Sequence, residues 1–131
     1  MKKVILFIFI TSLTSLSASE FLLAKDSLVL KNEKVKISLI EQMAISAILS
    51  ENYESIEQLL QSGKVNSRMK VDGKPLIIHA AIHDKAEMIL LLARYGAMLI
   101  EPLCDEGKSI MEYAIENKSI HAQAQIILIR A

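Results

Sequence analysis

Two stretches of the chain carry the same order of apolar and polar positions. Ala47-Ile48-Leu49-Ser50-Glu51-Asn52-Tyr53-Glu54-Ser55-Ile56-Glu57-Gln58-Leu59-Leu60-Gln61-Ser62-Gly63 aligns with Ala80-Ala81-Ile82-His83-Asp84-Lys85-Ala86-Glu87-Met88-Ile89-Leu90-Leu91-Leu92-Ala93-Arg94-Tyr95-Gly96. Alanine, a polar turn pair, isoleucine, leucine and glycine coincide at an offset of 33, and Gly73-Lys74 returns as Gly107-Lys108 at an offset of 34. A period in this range marks one supersecondary unit stacked on copies of itself.

Each unit predicts two short antiparallel helices. In the second unit the first helix runs from Leu76 to His83 and is started by Pro75, whose missing N–H costs nothing in a first turn. Ala80 and Ala81 are small where two helices must approach closely. Asp84-Lys85 is a tight turn. The second helix runs from Ala86 to Tyr95, with Ile89, Leu92 and Ala93 on one face. Gly96 stands where a helix end wants a left-handed residue, as Gly63 does one unit earlier.

These residues resemble the ankyrin repeat. Asp72-Gly73-Lys74-Pro75-Leu76-Ile77-Ile78-His79-Ala80-Ala81, followed by Met88-Ile89-Leu90-Leu91-Leu92 and Gly96-Ala97, looks like that family's Asp-Gly-x-Thr-Pro-Leu-His-x-Ala-Ala, Ile-Val-x-Leu-Leu and Gly-Ala. Pro75 stands at the Thr position and His79 lies one residue beyond the usual histidine. A third unit opens at Gly107-Lys108-Ser109 and ends in a second helix near Ala122 to Ile129 that lacks a terminal glycine, as in a degenerate cap. The first unit starts near Glu41 and lacks the Gly-x-Thr-Pro opening. About ten residues without helical periodicity separate Gly63 from Gly73 and Gly96 from Gly107, which favours hairpin-like loops over the longer joined helices of tetratricopeptide repeats. The resemblance implies an all-α ankyrin-type helical repeat solenoid of about three helix-turn-helix repeats (about 39–71, 72–104 and 105–131) within a repeat domain spanning 39–131. Residues 20–38 form an N-terminal extension or cap, in which the alternation of Val35, Ile37 and Leu39 with polar residues suggests an extended segment.

The first nineteen residues read differently. Met1-Lys2-Lys3 is positive, Val4 to Ile10 is unbroken apolar, and small residues follow at Ser17, Ala18 and Ser19. That is the order of a secretory signal peptide, with cleavage between Ser17 and Glu20. A membrane span needs ~20 apolar residues, and four hydroxyls interrupt this run too early. No cysteine follows it, so a lipid anchor is excluded. The short two-lysine start points to export into a bacterial periplasm or beyond, with no stable membrane insertion after cleavage.

Composition narrows the function. Fifteen basic and fifteen acidic residues balance, and removing Lys2 and Lys3 leaves 13 against 15. A nucleic-acid binder concentrates its Lys and Arg on one face; here they are scattered, and no nucleic-acid partner is expected. The lone Cys104 makes no internal disulfide and reads as an inert loop residue. With 52% apolar but only 5% aromatic residues, the core must be aliphatic.

Little in the chain suggests catalysis. His79 and His83 are four apart, a spacing seen in metal sites, and His121 is the third histidine; the simpler reading has His79 hydrogen-bonded between helices and His83 solvated. Cys104 has no histidine nearby in sequence, and no Gly-rich phosphate loop is present. No enzyme and no cofactor are expected. What remains is surface. The ankyrin resemblance implies that binding residues lie on loop tips and on the exposed side of each first helix. By position these are Met69, Val71, Asp72, Lys74, Ile82 and His83 in repeat two, and Leu103, Asp105, Glu106, Lys108, Glu116 and Asn117 in repeat three. Met69, Val71, Ile82 and Leu103 are apolar where solvent is expected, which suggests a protein-binding patch. The implied role is an exported module that binds and neutralises or assists a periplasmic protein, for example an immunity protein against a co-encoded toxin. The alternatives are an accessory to oxidative-stress defence acting on catalase or haem, and a small-ligand or metal carrier.

Overall fold

The computed structural model describes residues 18–100 and 104–131, with side chains from residue 24 onward. Six helices are present among the described residues: α1 (Ala18–Leu49), α2 (Tyr53–Gln61), α3 (Leu76–Ile82), α4 (Ala86–Arg94), α5 (Ile110–Glu116) and α6 (Ile120–Arg130). A two-stranded hairpin, β1 (Lys70–Val71) and β2 (Lys74–Pro75), precedes α3, pairing Lys70 with Pro75 and Val71 with Lys74. No described helix is long and apolar enough to cross a membrane.

The chain divides into two compact units, residues 1–37 and Ser38–Ala131. In the first, the described side chains are all exposed and the backbone is helical. Val35, Ile37 and Leu39 therefore lie on a helix rather than in the extended segment their alternation suggests. The stretch holds strong helix formers and neither Gly nor Pro, so local propensity sets its backbone with no buried face to impose a strand.

In the second unit α3 packs against α4 and α5, α4 against α6, and α5 against α6. This is a stack of antiparallel helix pairs with an aliphatic centre. Ile48, Ile56, Leu76, Ile77, Ile78, Met88, Ile89, Leu92, Ile110 and Ile126 are fully buried. At ~25 cal/mol per Å² of apolar surface, such side chains each contribute roughly 1.5–3 kcal/mol, and their burial is what chiefly holds the repeats together. Ile89 and Leu92 face the core as their spacing predicts, with Ala93 half-buried beside them.

The helix ends differ in how they are closed. Gly63 and Gly96 take positive φ after α2 and α4, as predicted. Pro75 is the residue before the first turn of α3, and it doubles as the last residue of β2, so its missing donor falls on a hairpin end. The α5 helix is closed by a full capping box: Ser109 Oγ accepts from the Glu112 amide at 3.3 Å, and Glu112 accepts from the Ser109 amide at 2.5 Å. Each box end satisfies an otherwise orphaned amide. Between the helices of each repeat a non-glycine residue takes the left-handed conformation: Glu51 (φ 56), Asp84 (φ 56) and Lys118 (φ 55).

Candidate functional site

The repeats join through their loops as well as their helices. The Asp105 amide donates to the Gly73 carbonyl at 3.0 Å, and Asp105 pairs with Lys70 at 2.8 Å. Gly73 sits at φ 73, and a β-carbon there would meet the Asp105 carboxylate at 2.8 Å. Glycine is thus required by conformation, and a β-carbon would in addition push the Asp105 carboxylate away from its place beside Lys70.

Beside this junction lies a charged surface centred on Tyr113. Lys74 and Lys108 occupy the same place in successive repeats, and their ammonium groups stand 5.9 and 5.5 Å from the Tyr113 ring centroid. Lys108 also pairs with Glu116 at 3.0 Å, and this carboxylate pushes the Lys108 ammonium above its ordinary value. The Tyr113 hydroxyl shares its one proton between Glu106 at 3.0 Å and the Cys104 sulfur at 3.3 Å. Its hydrogen bond to Cys104, its burial and Glu106 all hold the phenol protonated, well above its ordinary value. Burial pushes the Cys104 thiol up, but hydrogen bonds from Tyr113 and the Lys108 amide outweigh it and leave the thiol below its ordinary value. Cys104 is therefore a buried, hydrogen-bonded part of the loop.

The predicted residues fall into three groups. Lys74, Glu106, Lys108 and Glu116 come together around Tyr113, with Asp105 adjoining through Lys70 and the Gly73 carbonyl, and Asp72 exposed in the hairpin turn at φ 52. His83 and Asn117 end α3 and α5; the Asn117 amide donates to the Tyr113 carbonyl at 2.8 Å, so it serves its own helix. Met69, Val71 and Ile82, expected to face solvent, are instead half-buried against the core, the first two because the hairpin folds back onto the α3 side of the stack and Ile82 as the last residue of α3. Leu103 lies outside the described residues.

Sequence reasoning passed over Tyr113, Lys70 and Asp84. Asp84 accepts from the His121 ring at 2.7 Å and from the Ala122 amide at 2.8 Å, so it caps α6 from the preceding repeat. His79, expected between helices, instead bonds the Val71 carbonyl at 2.9 Å and holds the hairpin. Among the described residues no group of three or more His, Cys, Asp or Glu is arranged to hold a metal ion.

A periodic helix pair, a hairpin before α3 and left-handed turns at matching intervals define the repeat, and the family model for ankyrin repeats, in three copies, matches residues 43–129. The chain belongs to the ankyrin repeat family. No curated protein matches it. Ankyrin repeats are in general protein–protein interaction modules, typically without catalysis, and they imply a protein partner. In this ankyrin protein, charged groups gather where repeats two and three bring Lys74, Lys108, Glu106 and Glu116 together over the buried Tyr113.

Proposed function

We propose that this ankyrin repeat protein is an exported binding module that holds a partner protein against the charged surface of Lys74, Lys108, Glu106 and Glu116, which lies over the buried Tyr113. The observation that carries the reading is the pair of equivalent lysines over one ring, flanked by Glu106, Glu116 and Asp105. The buried ring holds the two ammonium groups in place, so the chain meets a partner with charges that are already positioned. Export rests on Lys2-Lys3, the apolar run Val4 to Ile10 and the small residues before Glu20. Within this class the favoured role is neutralising a toxic protein met in the periplasm, since a small rigid stack with a charged face suits tight blocking.

Purification of the tagged mature chain from the exported fraction tests the reading. A stoichiometric partner lost on Lys74→Glu with Lys108→Glu, while the fold survives, supports it. Binding that survives both reversals overturns the site, and retention of a reporter fused after residue 25 in the cytoplasm overturns export. A toxin gene adjoining this one would support immunity; peroxide sensitivity on deletion would instead support the oxidative-stress role.

A further inference from the structure

Repeat one reverses a charge that repeats two and three share. Lys74 and Lys108 hold equivalent places, and Glu41 holds that place in repeat one, at an offset of 33 from Lys74. Glu41 lines a groove of about 710 Å³ between α1 and the hairpin of repeat two, within the Ser38–Ala131 unit. The apolar part of its lining is Ile45 and Val71, both half-buried, and the exposed Leu49. Room is left beside the hairpin because Ser46 and Ser50 stand where repeat two carries the larger His79 and His83.

The charges lining this groove are of one sign. Glu41 and Asp72 both line it, and no Lys or Arg does. Glu41 is half-buried, Asp72 is exposed in the hairpin turn, and neither enters an ion pair among the described residues. The hairpin's own lysines are engaged elsewhere: Lys70 pairs with Asp105, and Lys74 stands over Tyr113. Two carboxylates beside apolar side chains repel an acidic ligand, and a bare cation would leave the apolar wall unused. We propose that the groove takes an arginine of the partner protein together with the apolar residue next to it. Arginine fits better than lysine because its planar group carries five N–H donors and is weakly hydrated, which suits two carboxylates beside an apolar wall.

This contact extends the partner-binding face beyond the Lys74–Lys108 surface, and it rests on that reading only in taking the ligand to be a protein. The two contacts together give the face a polarity. Glu41 opposes an acidic segment at one end and Lys74 a basic one at the other, so a partner of uniform charge is rejected.

A nuclear magnetic resonance titration of the mature chain with three short capped peptides provides the test. One peptide holds an arginine between two leucines, and its twins hold glutamine or glutamate in the arginine's place. At up to about 1 mM peptide, the range in which so short a segment binds, the arginine peptide is expected to shift the amides of Ile45, Leu49 and Val71. It should bind at least about fivefold more tightly than the glutamine twin, with the glutamate twin weakest. Glu41→Gln with Asp72→Asn should abolish that preference. Glutamine keeps the helix and asparagine the left-handed turn, and unchanged melting shows that the variant folds. Equal binding by the three peptides overturns the proposal, as do shifts confined to other residues or a preference that survives the double variant. Lys74→Glu with Lys108→Glu should leave the arginine preference in place, so failure of the lysine surface and failure of the groove are read separately. Loss of the preference in that variant puts the arginine outside the groove and also overturns the proposal.

Discussion

Repeats two and three are the same helix pair built from different local chemistry. Repeat two opens on Pro75 with no side-chain cap and closes on Gly96; repeat three opens on a capping box and closes without glycine. His79 in one holds the hairpin through the Val71 carbonyl, and Tyr113 at the same place in the other holds its loop through Cys104 and Glu106. Repeat two lies within the stack and is gripped from both sides, so packing supplies most of its stability. Repeat three has a neighbour on one side among the described residues and compensates with polar clamps: the Ser109 box, Asp84 reaching across to α6, and Arg130 bonded to the Leu99 carbonyl. The backbone plan belongs to the family, whereas the means of holding it depend on position in the stack.

That contrast can be broken most forcefully in the core. Leu92→Ala in repeat two is expected to cost about 2–5 kcal/mol and to unfold much of a domain of this size, read by urea denaturation; tolerance at Leu92 would mean that packing does not dominate there. Next come the paired glycines. Gly73→Ala and Gly107→Ala both force alanine into left-handed backbone at about 1–2 kcal/mol, but only Gly73 also meets Asp105. Gly73→Ala is therefore the more damaging, and adding Asp105→Ala should bring the two losses together. Equal melting of the two single variants would show that the loop junction is slack.

Ser109→Ala is expected to cost about 0.5–2 kcal/mol by opening the capping box, measured as lost amide-exchange protection in α5, with α3 less affected. The smallest effect is acidification. Burial pulls the Asp84 carboxyl upward, but hydrogen bonds from His121 and the Ala122 amide outweigh this and hold it below its ordinary value. Glu112 is lowered by its bonds to the Ser109 amide and hydroxyl. Because the folded values are depressed, their contribution is complete only above the ordinary carboxylate range, at about pH 5 and higher, and fades as pH falls through the lower folded values. Solvent screening holds the Asp84 contribution to about 0.5 kcal/mol or less. Amide exchange between pH 5 and pH 2 should loosen α5 and α6 before α4; simultaneous loosening would refute a repeat three held by carboxylates.

The helix pair of repeat two was legible because Ile89, Leu92 and Gly96 combine a burial period with a stop signal. The same signals located the junction loops, hence Lys74 and Lys108. Tyr113 stayed hidden because its importance comes from two lysines 39 and five residues away in sequence meeting at one ring. Asp84 was read as a turn residue, which it is; its grip on α6 is a 37- and 38-residue contact without local signature. Met69 and Val71 were misjudged because a loop-tip position says nothing of whether the loop folds back onto the core, and Ile82 because the last residue of a helix can still pack against it. The helix over residues 18–38 escaped notice because a helix exposed on all sides lacks the amphipathic period by which helices are recognised.

The left-handed turns carry one more consequence, for how such an array can grow. Two of them aim a side chain at the next repeat: Glu51 reaches Lys85, and Asp84 reaches His121 and the amide beyond it. Were repeat two duplicated in place, Asp84 of the first copy would meet Glu87 of the second, the residue standing where repeat three has His121. Carboxylate would face carboxylate. The first junction already meets this arrangement, since Glu51 holds the place of Asp84 opposite a repeat carrying Glu87 and turns to Lys85 instead, so a duplicated unit would exchange the His121 contact for one to Lys85.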